Sequence, residues 1–86
     1  MEFGFDQRKS QRNKKKHGID FVEAQALWED PDRIEIPVTT IDEPRFILVA
    51  KISEKHWSTI FTYRHERIRI ISARRSRKEE IELYES

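Results

Sequence analysis

Arg74, Arg75 and Arg77 lie within four positions of one another, and Glu79 follows closely. Guanidiniums that near repel one another, and phosphate is the anion their planar forks fit best. The same residues also fit an ordinary solvated surface in which they bridge to Glu79, Glu80 and Glu82, each pair contributing under about 1 kcal/mol. A second group, Lys14, Lys15, Lys16 and His17, sets three ammonium groups beside an imidazole. Histidine as a residue type titrates near neutrality, so His17 could serve as base or acid while Lys16 orients or stabilises phosphate. The competing reading of His17 is a helix-end side chain bonded to the last carbonyls. Lys14, Lys15 and Lys16 fit a generic polyanion-attracting face as well as a catalytic one. The three histidines are dispersed and cysteine is absent, so no metal site, disulfide framework or thiolate chemistry is supported, and no cofactor is expected.

These side chains need elements to hold them. Arg67 to Ala73 alternates Arg and Ile before a β-branched and small run, the pattern of a strand with one face on a core. Ser76 with Glu79 three residues on has capping-box spacing and predicts a helix from Ser76 to about Tyr84, which makes Glu79 a cap or, alternatively, a base. Arg64 closes the preceding strand, Trp57 to Arg64, and His65-Glu66 is the turn. Arg64 and Arg74 therefore lie at opposite ends of the strand pair, more than about 20 Å apart at ~3.4 Å per residue. The grouping this favours is Arg74, Arg75 and Arg77 with part of the basic first helix. Arg64 and Arg67 would then serve a second phosphate or a partner surface.

Upstream, Phe3-Gly4-Phe5 suggests a brief strand and Asp6 a cap. Gln7 to His17 has helix formers but almost no apolar residue, and Gly18 is a plausible stop. Asp20 opens a second helix with Glu23 as its box partner and Phe21, Ala24, Leu27 and Trp28 facing inward, ended by Pro31. Ile34, Ile36 and Val38 alternate as an edge strand carrying Pro37, and Phe46 to Ile52 reads as a more central one. The order is strand, two helices, four strands, helix. Short turns make the successive strands antiparallel neighbours, which gives an α+β fold with one twisted meander covered by helices.

The 86 residues suffice for one domain, 1–86, with one core. Charged residues make up 38% and hydrophobic ones 36%, so the core must be small and the surface heavily ionised. A net charge of +1 hides an asymmetry: Arg8 to Lys16 holds no acid, whereas acids collect in Asp20 to Glu35 and Glu79 to Glu85. No apolar run approaches the roughly 20 residues of a membrane span, and Met1 to Asp6 lacks a secretory pattern, so the cytoplasm is the expected compartment. Tyr84 could stack on a base or sit at the core edge. His56 and Trp57 are an aromatic platform or simple packing.

Taken together, Phe3-Gly4-Phe5-Asp6, Lys15-Lys16-His17-Gly18-Ile19-Asp20-Phe21 with Glu23-Ala24, Phe61-Thr62-Tyr63-Arg64, Arg67 to Arg75, and Glu79 with Leu83-Tyr84 resemble the BrnT toxin family over essentially the whole chain. The turns Ser53-Glu54-Lys55 and His65-Glu66 depart from it in lacking glycine. The resemblance implies a RelE-like ribonuclease fold, a growth-inhibiting toxin of a type II toxin–antitoxin pair, and a BrnA-type ribbon-helix-helix antitoxin. It also implies that operator DNA is bound only through the complex with antitoxin. Metal-independent RNA cleavage needs a base for the 2′-OH, cations for the pentacoordinate phosphate and an acid for the leaving 5′-oxygen. His17, Arg74, Arg77 and Glu79 are the catalytic candidates, with Lys14, Lys15, Lys16, Arg64, Arg67 and Arg75 as RNA contacts. The alternative is a catalytically inactive member, acting as an antitoxin-binding corepressor or a nucleic-acid-binding module.

Overall fold

Period-two alternation after Ile34 produces, in the computed structural model, four successive antiparallel strands: β2 (Ile34–Val38), β3 (Arg45–Ile52), β4 (Lys55–Arg64) and β5 (Arg67–Arg75). The structure describes residues 1–86. β1 (Phe3–Gly4) adds to β5 in parallel, so the sheet order is β1-β5-β4-β3-β2. The expected α+β class holds, with α1 (Gln7–His17), a 3-10 helix (Glu23–Glu29) and α2 (Lys78–Glu85) around one sheet. No helix is long and apolar enough to cross a membrane.

Alternation gives the sheet two unlike faces. Leu48 and Ala50 of β3, Trp57 and Phe61 of β4, and Ile68, Ile70 and Ala73 of β5 point to the side where Ile19, Phe21, Ala24, Leu27 and Trp28 close the core. Each large side chain so buried contributes roughly 1.5–3 kcal/mol. Trp28 is the pivot, edge-on to Phe3 at 5.0 Å and to Phe61 at 5.2 Å. The opposite face carries Ile36, Ile47, Ile60, Ser58, Ser72 and Arg74, and α2 covers only the end where Glu80 meets Ser58 and Arg74. The three isoleucines there stay half-buried.

Two local outcomes differ from the sequence pattern. The second helix is 3-10 over Glu23–Glu29 rather than α. Phe21, Ala24 and Leu27 recur every third residue, and a helix of three residues per turn stacks them on one line toward the core. The Asp20–Glu23 box forms as expected, Glu23 N–H donating to Asp20 Oδ1 at 2.7 Å and Asp20 N–H to Glu23 Oε1 at 2.9 Å. The second difference is at β5, which runs two residues past Ala73, to Arg75.

α1 explains how a helix without an apolar stripe can dock. Asp6 caps it, accepting from the Arg8 and Lys9 N–H groups, and Gly18 ends it at φ 84 with its N–H on the Lys14 carbonyl. Its only buried residues are Ser10 and Asn13. The Asn13 amide donates to the Ile19 and Ala73 carbonyls at 2.8 Å each and accepts from Ala73 N–H at 3.2 Å. It thereby substitutes for a neighbouring strand where the two-residue β1 no longer covers the edge of β5. Ser10 Oγ accepts from Phe21 N–H at 2.9 Å. α1 is thus pinned beside the last third of β5 by polar contacts.

Candidate active site

The extension of β5 decides where the guanidiniums point. Arg74 and Arg75 are strand residues, so they project to opposite faces. Arg75 turns to the core side, its guanidinium 5.4 Å from the Trp57 ring centroid and its Nε donating to the His56 carbonyl. Arg74 lies on the other face beneath α2. The single crowd of Arg74, Arg75 and Arg77 expected at this corner does not form, because strand periodicity separates the first two. Arg77 provides the main-chain cap of α2 and its side chain is exposed without an ion partner.

The capping carboxylate also differs from expectation: it is Glu80 and not Glu79. Ser76 N–H bonds the His56 carbonyl, which keeps the chain extended one residue longer and moves the helix start to Lys78. Glu80 Oε1 then accepts from Arg77 N–H, Ser58 Oγ and Arg74 Nη1, each at 2.8 Å, and Oε2 accepts from Arg74 Nη2 at 2.8 Å. Only 8% of Glu80 is exposed. The Arg74 guanidinium, opposed by burial and helped by the Arg77 and Ser58 donors, brings its carboxyl down to about 2. So acidic a carboxyl is a poor base at neutral pH and an effective anchor. Glu79 stays on the exposed first turn of α2.

Arg74 is the only arginine of the corner with a carboxylate partner. A guanidinium has five N–H donors. Two go to Glu80 and one Nη1 proton to the Arg75 carbonyl, leaving Nε–H and the second Nη2 proton. These remaining donors share one edge of the guanidinium, the geometry that takes two oxygens of a phosphate. The side chain is 19% exposed, and the orientation of the guanidinium is fixed by Glu80.

Two residues back along β5, on the same face, stands Ser72. It forms, with Ile71, Asn13, Phe21, Lys9, Arg12, Lys16 and His17, a groove between α1 and β5. The fold thus brings Lys16 and His17 to a cleft whose strand wall continues, about 7 Å further on, to Arg74. The His17 side chain is half-buried and makes no hydrogen bond, so the helix-end role weighed for it is not taken up. Lys14 is paired with Glu23 at 2.8 Å, and with Lys15, Arg8 and Arg12 it lines a second groove, which Asp20 and Val22 close on the other side.

Arg64 and Arg67 sit at the β4–β5 turn, paired with Glu43 and Glu2 respectively, a strand length from Arg74 as the register requires. His56 packs edge-on at 5.2 Å against Tyr84 of α2, with His56 Nε2 2.7 Å from Glu85 and the Tyr84 hydroxyl donating to Asp30 at 2.6 Å. That bond to Asp30 raises the Tyr84 phenol well above its ordinary range. Ser58 and Ser72 were not marked by the sequence, and Glu80 was marked only as one of three carboxylates that the corner arginines could bridge to, which Arg74 does. Ser58 lies 22 positions from Glu80, and the β4–β5 register is what sets Ser58 beside Arg74 and Ser72 on the same face. No group of three or more His, Cys, Asp or Glu side chains is arranged to hold a metal ion.

Residues 5–80 match the family model described as the ribonuclease toxin, BrnT, of type II toxin–antitoxin systems. No curated protein matches the chain.

Proposed function

As this chain belongs to the BrnT family of type II ribonuclease toxins, with RNA as substrate and an antitoxin as partner, we propose that it is a metal-independent endoribonuclease working at the junction of α1, β5 and α2. The observation that carries this reading is the pair of unused donors on one edge of a guanidinium already oriented by Glu80, beside a groove holding an imidazole. His17 takes the 2′-OH proton as the 2′-oxygen attacks phosphorus. The Arg74 edge holds two non-bridging oxygens, whose charge grows as the P–O2′ bond forms and the P–O5′ bond breaks. The leaving 5′-oxygen takes its proton from a solvent water as the P–O5′ bond breaks, while Lys16 and the exposed Arg77 add positive charge around it. The products are a 2′,3′-cyclic phosphate and a 5′-hydroxyl. Glu80 and Ser58 are positioning residues, and Lys9, Arg12 and Lys15 supply a basic track along α1.

On the same reading the fold is RelE-like, the protein acts in the cytoplasm to inhibit growth, and a BrnA-type ribbon-helix-helix antitoxin neutralises it. Operator DNA is reached through that complex. Purified protein incubated with RNA in EDTA tests the proposal: cleavage with cyclic-phosphate ends is expected, and intact RNA would overturn it. One observation favours a second reading, a catalytically silent antitoxin-binding or nucleic-acid-binding module: two of the Arg74 donors are already satisfied by Glu80. That reading predicts RNA binding without cleavage, with growth inhibition unchanged in Arg74→Ala and His17→Ala.

A further inference from the structure

Away from Arg74, the open sheet face ends in a second concentration of positive charge. Arg64, His65, Arg67 and Arg69 line one pocket with Gly4, and no acid contributes to its wall. Three causes converge on this composition. The two-residue β4–β5 turn, with His65 at φ 52 and Glu66 at φ 63, brings Arg64 directly opposite Arg67. Arg69 follows two residues later on the same face, paired across the sheet with Thr62. Gly4 sits beside Arg69 on β1 and has nothing within 4 Å of where a Cβ would be, so the pocket has space above it. Glu43 and Glu2 each tether one arginine, but neither lines the pocket, and Arg69 has no carboxylate partner. Arg45 and Arg69 lie near enough to Glu43 to help Arg64 hold its carboxyl below the ordinary range. Four guanidiniums therefore gather around two carboxylates.

We infer that this turn-end pocket is a second phosphate subsite for single-stranded RNA, so that one strand is held at Arg74 and again at Arg64, Arg67 and Arg69. The inference rests on the ribonuclease reading above and adds a minimum substrate length to it. Arg69 and Arg74 are separated by a stretch of β5 that includes the irregularity opposite Ile60 and Phe61, a distance of roughly 15 Å at ~3.3 Å per residue. Between them on the same face lie Ser72 and its cross-strand neighbour Ile60, both half-buried. Such a span suits a strand on the order of four nucleotides, the lower end of single-strand site sizes.

The test uses fluorescein-labelled 2′-deoxy oligonucleotides, which bind without a 2′-OH to react, as a dinucleotide and an octanucleotide. Arg69→Ala, Arg67→Ala and Gly4→Asp, the last placing a carboxylate in open space, are expected to weaken octanucleotide binding about tenfold and leave the dinucleotide unchanged. The logarithmic salt slope should fall by about 0.7 for every phosphate that a variant no longer neutralises. Unchanged octanucleotide affinity and salt slope in all three variants would overturn the subsite, whether or not the protein cleaves RNA. Loss of antitoxin binding with oligonucleotide binding untouched would also overturn it and assign the pocket to the protein partner. The predicted length dependence without RNA cleavage would instead uphold the subsite and remove the enzyme reading.

Discussion

At Glu80, four hydrogen bonds converge on one carboxylate, and the consequence can be read in acid. Its folded carboxyl, at about 2, lies below the ordinary 4.5, so its stabilising effect is complete above the ordinary value and is lost as pH falls from there toward 2. A shift of that size corresponds to about 3 kcal/mol. Urea unfolding across this window should therefore show a steep acid limb in the wild type and a shallower one in Glu80→Gln, which has no proton to take up. Equal limbs would mean that Arg74 and Glu80 are not paired in solution. The Gln variant should also be less stable at neutral pH, because the Arg74 charge beneath α2 loses its counter-ion. At this scale the sequence showed which chemistry was present but not how it was shared. It marked Arg74 and a carboxylate three residues from a cap, yet chose Glu79 over Glu80. A one-residue displacement of the cap follows from the Ser76–His56 backbone bond, a contact across 20 positions that local spacing does not encode.

Among the elements, α1 shows most clearly how the site depends on the scaffold. It contributes no apolar residue to the core, and its position beside β5 rests on Ser10 and Asn13. Asn13→Ala would leave the Ile19 carbonyl and both backbone groups of Ala73 without their side-chain partner. The expected loss is about 2–3 kcal/mol, with the Ala73 amide exchanging faster than its strand neighbours. Cleavage should fall as well, because His17 and Lys16 are carried on the same helix. Full retention of both stability and exchange protection would show that α1 is docked by other means. The strands were legible because their alternation is regular, and Ile34–Val38 was read with its bounds. The 3-10 segment was visible as a buried stripe but not as a helix type. α1 was visible as a helix, but its docking was not, since an asparagine that completes a sheet edge carries no periodic signal.

For the whole molecule, the distribution of charge matters more than the near-neutral total. Arg12 and Lys15 on α1, Arg74 and Arg77 at the corner, and the turn-end arginines lie on separate surfaces that one RNA strand could join. Arg12→Glu and Lys15→Glu should weaken RNA binding similarly for all sequences and lower the logarithmic salt slope by roughly 0.7 per phosphate released from the helix. An unchanged slope would remove α1 from the RNA path. The expected separation of Arg64 from Arg74 was readable from chain order alone, because a two-residue turn fixes which ends of β4 and β5 are adjacent. That part of the basic first helix would lie near the arginine corner was read from the sequence, but that His17 would share a groove with Ser72 was not, because it required knowing that α1 lies against the last third of β5. The proposed sharing of one site by His17 and Arg74 is tested by a double-mutant cycle on cleavage by folded His17→Gln, Arg74→Lys and the double variant. Each single change should lower kcat/KM about 100-fold or more, and the double should lose little beyond the worse single, as for groups serving one transition state. Losses that multiply independently, or single variants as active as the wild type, would contradict a shared site.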